Sequence, residues 1–162
     1  MSDTQNEVVQ EQNQGRTMTI VNEKPPIYEK AHLAFDIDDS ETVYTYGDKL
    51  YNPAGLQIGQ DLIEHESTHM LQQKELGENG PAIWWDKYLN DKAFREAEEI
   101  EAYGRQYAYY RTKQKDRNTC AKYLSQLAMF LSSKLYKLDI SYGEALKAIR
   151  EESDANLTSK RR

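Results

Sequence analysis

Residues 61–73 read Asp61-Leu-Ile-Glu-His65-Glu66-Ser-Thr-His69-Met-Leu-Gln-Gln73, and their reading sets the frame for the rest of the chain. The stretch contains the pattern His-Glu-x-x-His. If residues 57–76 form a helix, as their periodicity predicts, the two histidines stand one turn apart on one face. Both imidazoles can then reach a single metal ion. Zinc takes histidine nitrogens at ~2.0–2.1 Å, and its catalytic sites keep one position open for water. Glu66 lies between the two histidines on the same side, placed to accept a proton from that water.

The helical wheel tests the pattern. At ~100° per residue, Ile58, Leu62, Met70 and Leu76 mark an apolar stripe. His65, Glu66, His69 and Gln73 fall inside it, while Glu64, Leu71, Thr68 and Glu75 lie opposite. Polar groups buried in a core-facing arc are costly without partners. One histidine there is ordinarily a satisfied core residue. Two at this spacing, with a glutamate between them, are accounted for together by a metal.

Such a site needs a third ligand. His32 is the remaining histidine and Cys120 the single thiol. The acidic choices lie in Phe94-Arg95-Glu96-Ala-Glu98-Glu99-Ile-Glu101-Ala102-Tyr103. Glu101 is spaced to pair with Arg105 at i+4, a surface arrangement. Glu98 shares its face with Phe94, Ala102 and Arg105. Glu99 shares a column with Arg95, Ala102, Tyr103, Gln106 and Tyr110, groups able to orient a ligating carboxylate. Glu99 is therefore taken as the third ligand, and the other glutamates as solvated helix charges.

Working outward, strands are expected around Thr17–Val21, Tyr28–Phe35 and Thr42–Tyr46, the last β-branched and aromatic. Gly47-Asp48 turns the chain, and Lys49–Tyr51 returns as a hairpin partner. Gly77 stops the histidine helix, and residues 78–81 form a loop. Residues 83–89 are helical. Asp91 caps a long helix over residues 92–113. Asn118 or Thr119 caps another reaching about Lys137, and residues 142–152 form a last short helix. Residues 1–17, rich in Gln, Asn and Glu, are read as a disordered tail. Residues 18–152 are read as one domain and 153–162 as a polar tail. The fold class is α+β, mostly helical, with a small N-terminal antiparallel sheet or hairpin.

Composition narrows the function. The formal net charge is −6 and there is no basic stripe apart from Lys160-Arg161-Arg162, so nucleic acid is not the expected partner. The 12 tyrosines outnumber 3 Phe and 2 Trp, so the core carries hydroxyls that need partners. The run Tyr103–Tyr110 is read as packing rather than as a base-stacking platform, given the acidic charge. One cysteine excludes an intrachain disulfide. No stretch approaches the ~18 apolar residues of a membrane span. No secretory signal is read at the start. A cytoplasmic or virion-associated protein is expected, and its oligomeric state is not legible.

Taken together, these motifs resemble the gluzincins, metallopeptidases that draw two ligands from His-Glu-x-x-His and a glutamate from a later helix, often in Glu-x-x-Ala-Asp. Glu99-Ile-Glu-Ala102-Tyr103 is similar to that form, with Tyr103 in place of the common Asp. The chain also looks like small stand-alone zincin-like proteins, some of them encoded by bacteriophages, over about residues 42–110. The resemblance implies zinc held by His65, His69 and Glu99. It implies Glu66 as general base and later proton donor, and a peptide or protein substrate. It also implies an edge strand, here Thr42–Tyr46, that pairs with the substrate. A further donor to the developing oxyanion would be Tyr103, Tyr107, Tyr110 or Arg95, among which the residues do not choose. Two alternatives stand beside this. One is a zincin-fold structural or assembly protein with little catalysis, which a fourth ligand such as His32 would favour. The other is a metal amidase acting on cell-wall peptides.

Overall fold

Gly47, at φ 64°, turns the chain between β3 (Tyr44–Tyr46) and β4 (Lys49–Tyr51), and this hairpin joins a small sheet. The computed structural model describes residues 7–11 and 16–159. The other elements are β1 (Glu7–Glu11), β2 (Arg16–Val21), α1 (Tyr28–Ala34), a 3-10 turn (Asp39–Glu41), α2 (Gln60–Glu75), α3 (Gly80–Asn90), α4 (Lys92–Lys113), α5 (Arg117–Leu131) and α6 (Tyr142–Ser159). The strand order is β1-β2-β4-β3, which leaves β3 at an edge. The chain is α+β and mostly helical, as expected. The sheet is mixed rather than antiparallel, because β2 runs parallel to β4, with Ile20 opposite Leu50. None of the helices described is long and apolar enough to cross a membrane.

Several local expectations are corrected. Residues 28–34 of the expected strand Tyr28–Phe35 are helical, and only Phe35 is extended. Ile27, Ala31 and Phe35 recur at intervals of four and are all buried, so the burial lies on one helical face. The expected disordered tail contains β1 and the start of β2, while residues 1–6 and 12–15 lie outside those described. Pro81 is not in a loop but in the first turn of α3, where a missing N–H costs nothing. Asp116, not Asn118 or Thr119, caps α5 by accepting from Thr119 N at 2.9 Å, and the helix ends at Leu131. The final helix runs on to Ser159, through most of the expected polar tail. Its length follows from α4, against which Ile149 and Ser153 are wholly buried.

Other signals hold. Asp91 accepts from Phe94 N at 3.1 Å and starts α4. Gly77, at φ 91°, ends α2 in a conformation that side-chain-bearing residues resist.

Two apolar clusters flank the centre. Val21, Ala31, Tyr44, Trp84, Trp85 and Tyr88 pack where the sheet meets α1 and α3. Leu124, Leu127, Leu131, Ala145 and Ile149 join α5 and α6 to Tyr103 and Tyr107 of α4. Helix α2 packs on α3, α4 and β3. Of its nine buried residues, seven are polar. A helix this polar inside a core stays there only if its groups find partners. Thr68, expected on the solvent side, is also buried and donates to Glu64 O at 2.9 Å. Packing from several sides buries more of α2 than a single stripe.

Candidate metal centre

The local geometry of α2 stacks His65 and His69, with ring centroids 4.9 Å apart. Helix α4 supplies Glu99. Its Oε2 lies 3.2 Å from His65 Nε2 and its Oε1 lies 3.2 Å from His69 Nε2. One ligand atom from each of the three falls within 4.8 Å of the others. All three residues are buried. The structure thus brings together His65, His69 and Glu99, the residues singled out in the sequence.

The surrounding hydrogen bonds fix which imidazole nitrogens carry protons. Gln72 Nε2 donates to Glu98 O and to Glu101 Oε1, both at 3.1 Å. Its Oε1 must therefore face His69 Nδ1, 2.8 Å away, and accept a proton from it. On the other side, Tyr123 donates to Asp61 Oδ2 at 2.6 Å, so its oxygen accepts from Gln106 Nε2 at 2.8 Å. Gln106 Oε1 is then left to accept from His65 Nδ1 at 2.9 Å. Both histidines hold N–H at Nδ1 and direct Nε2 toward the Glu99 carboxylate.

That convergence tests whether a metal fits. Two Nε2 lone pairs and two carboxylate oxygens meet, with a single protein donor among them. Tyr88 Oη donates to Glu99 Oε1 at 2.7 Å. Glu99 Oε2 is buried with no hydrogen-bond partner. Such an arrangement requires a cation, either a proton on an imidazole or a metal ion. Without metal, burial pulls His69 down. The Glu99 carboxylate outweighs that and raises the imidazole to about 9. Burial in turn pushes Glu99 up, but His69 and His65 hold it well below the usual carboxylate range. Two imidazole nitrogens and a carboxylate, each steadied from behind, suit a divalent first-row metal.

Glu66 stands beside the cluster. Its Oε2 accepts from Thr45 Oγ1 at 2.6 Å. A cavity of about 410 Å³ opens onto Glu66, His65, His69 and Glu99. The centre therefore has three ligand candidates and one open side.

The remaining candidates separate clearly. His32 bonds to Asp39 through Nε2 at 2.8 Å and packs against the Tyr28 ring at 4.2 Å, away from the cluster. It is no fourth ligand. Cys120 Sγ points to Gln114 O. Glu101 turns to Gln72 rather than forming the expected pair with Arg105, and Glu98 accepts from Trp84 Nε1 at 2.9 Å. Both are structural partners rather than solvated charges.

Arg95 spends its guanidinium on the carbonyls of Tyr88, Tyr136 and Lys137. It ties α3 to the segment at 136–137 and is not among the residues lining the cavity. Tyr107 packs in the α4–α6 core, and Tyr110 stacks on Tyr123 at 3.8 Å. Tyr103 alone of the four lines the cavity, its ring edge-on to His65 at 4.5 Å. Its hydroxyl meets that of Tyr136 at 2.6 Å.

Strand β3 also departs from expectation. Gln73 Nε2 and Trp85 Nε1 both donate to Thr45 O at 2.8 Å, and Gln73 Oε1 accepts from Gly47 N at 2.7 Å. These side chains close the outer edge from Thr45 onward. The strand itself spans Tyr44–Tyr46 rather than the expected Thr42–Tyr46.

Gln72, Tyr88, Tyr123 and Tyr136 were not singled out in the sequence. Gln72 had a signal, lying at i+3 from His69. The others are set by packing between helices. No protein-family model, no curated protein and no solved structure matches the chain.

Proposed function

We propose that the chain is a zinc-dependent hydrolase of the zincin type that cleaves peptide bonds. The observation that carries this reading is the convergence of His65 Nε2, His69 Nε2 and the unpartnered Glu99 Oε2, with Glu66 beside them on an open cavity.

Zinc bound there supplies Lewis acidity toward a carbonyl oxygen and lowers the pKa of water toward ~7. His65, His69 and Glu99 hold it, and Gln106, Gln72 and Tyr88 keep them oriented. Glu66 accepts the water proton and returns it to the leaving amine. Thr45 fixes the carboxylate rotamer for both transfers. Burial pushes the Tyr103 and Tyr136 phenols well above their ordinary range, so both keep their protons. One hydroxyl donates to the other, and the second proton is free to face the cavity. That proton is our choice for the donor to the oxyanion. Carbonyl polarisation, a base and an oxyanion donor on one open cavity favour an enzyme over an assembly protein, since structural zinc requires neither Glu66 nor an open side.

The test is metal content and hydrolysis together. After chelation and zinc add-back, the wild type should hold about one zinc per chain and digest an unfolded protein substrate. His69→Ala and Glu99→Gln should lose or weaken the metal. Glu66→Gln should keep the metal and lose turnover. No zinc in the reloaded wild type would end the proposal.

A further inference from the structure

We infer that the cleft selects peptides carrying a large apolar residue next to a cationic one and discriminates against acidic peptides. This inference rests on the peptidase reading above and adds a substrate class to it.

The lining of the cavity has two characters. Leu127 and Phe130 at the end of α5, together with Leu135, supply an apolar surface. Phe130 and Leu135 are 56% and 45% exposed, so they present uncovered apolar area at the mouth. Covering such area from water is favourable for any apolar side chain that reaches it. A second part of the lining comes from the connection between α1 and β3, where Asp36, Asp38 and Glu41 face the same space. None of these three is in an ion pair among the described residues. Among the described residues the Asp38 carboxylate accepts from Ser40, through its N and Oγ.

Among the described residues, no lysine or arginine lines the cavity. Besides the two histidines, its charged groups are five carboxylates, those of Asp36, Asp38, Glu41, Glu66 and Glu99. A divalent ion would offset Glu66 and Glu99, and the other three carboxylates stay at the wall with no ion-pair partner, although Lys137 and Arg95 lie over the nearby Phe35 ring at 5.9 and 5.1 Å. A cleft lined by one sign of charge over apolar walls focuses its field on an entering ligand. His65, Glu66 and His69 line the same space, so a peptide that enters it lies against the proposed site. The cavity volume, about 410 Å³, lies in the range of small-ligand sites. It suits a short extended stretch of peptide and excludes a folded partner. The occupant that matches both the charge and the apolar lip is a peptide with a bulky apolar residue beside a lysine or arginine.

The experiment uses the full chain with Glu66→Gln, loaded with zinc, so that binding is read without turnover. Fluorescent peptides Gly-Gly-Phe-Lys-Gly-Gly, Gly-Gly-Phe-Glu-Gly-Gly and Gly-Gly-Ala-Lys-Gly-Gly are titrated at low and high salt. The Phe-Lys peptide should bind ~10-fold or more tighter than either other, a difference of about 1.4 kcal/mol, and salt should erode only the charge preference. Adding Asp36→Asn, Asp38→Asn and Glu41→Gln should remove the preference for lysine but keep that for phenylalanine. Phe130→Ala should do the reverse. Equal binding of the lysine and glutamate peptides, or binding of none, overturns the inference. Wild-type cleavage without discrimination would overturn it and leave the peptidase reading standing. Selective binding without any wild-type cleavage would support it and sink the peptidase reading.

Discussion

Thr45 Oγ1 on β3 donates a 2.6 Å hydrogen bond to Glu66 Oε2 on α2, and both residues are buried. The edge strand thereby holds the proposed base in one orientation beside the candidate metal ligands. Hydrogen bonds to charged groups contribute about 1.5–3 kcal/mol. Thr45→Val keeps the shape and the strand preference but removes the donor. We expect kcat to fall ~10- to 100-fold, with zinc content unchanged. Wild-type kcat in this variant would show that Glu66 is positioned without Thr45.

Tyr123 supports the proposed metal site without touching it. It links Asp61 to Gln106, and Gln106 holds His65 Nδ1–H. Loss of such a supporting partner typically weakens metal affinity ~10- to 100-fold. Tyr123→Phe keeps the ring stacked on Tyr110 and removes the hydroxyl. Competition with a chromophoric chelator should reveal a weaker zinc Kd within that range. An unchanged Kd would break the chain of influence from Asp61 to His65.

The metal-free protein should show a characteristic pH dependence. His69 is raised from 6.5 to about 9. Its contribution to stability is therefore fully present below 6.5 and is lost as pH rises through about 9. Glu99 is lowered from 4.5, so its contribution is present above 4.5 and is lost as pH falls below that. The urea midpoint of the chelated protein should peak between these limits and decline toward pH 9. Glu99→Gln should flatten the alkaline decline. Because protons compete at His69, zinc affinity should rise with pH up to about 9, with proton release on binding. Zinc binding without pH dependence over this span would contradict the pairing of His69 with Glu99.

Trp84 ties the centre to the core. It is 1% exposed, stacks on Tyr88 at 4.7 Å and meets His69 at 5.0 Å. Trp84→Ala should cost ~3–5 kcal/mol in equilibrium unfolding. Trp84→Phe should cost less, although it strips half-buried Glu98 of its indole donor. A loss under ~1 kcal/mol for the alanine variant would mean that the site tolerates collapse around the vacancy.

What was legible in the sequence is local. His65 and His69 share a face because residues four apart in any helix do. Asp91 and Gly77 mark helix ends through their own side-chain and backbone preferences. Glu99 could be singled out because its neighbours on the helix include groups that orient a carboxylate. Where few residues carry the signal, as in the strand expected at 28–35, local reasoning failed, because burial of Ile27, Ala31 and Phe35 against the sheet and α3 settled the matter. Asp116 was missed as a cap because Asn118 and Thr119 carry the same chemistry two and three residues later.

The sequence by itself determined which side chains could ligate a metal and that two of them share one helix face, since helix geometry is the same in every protein. Only the tertiary structure decided that Glu99 meets both Nε2 atoms and that His32 does not. It also decided that Tyr103 rather than Arg95 faces the cavity, and that Tyr123 supports His65 through Gln106. Those relations join residues 41 and 62 positions apart in the chain. They depend on how α2, α4 and α5 pack, and that packing is set by the summed burial of the whole core rather than by any one segment.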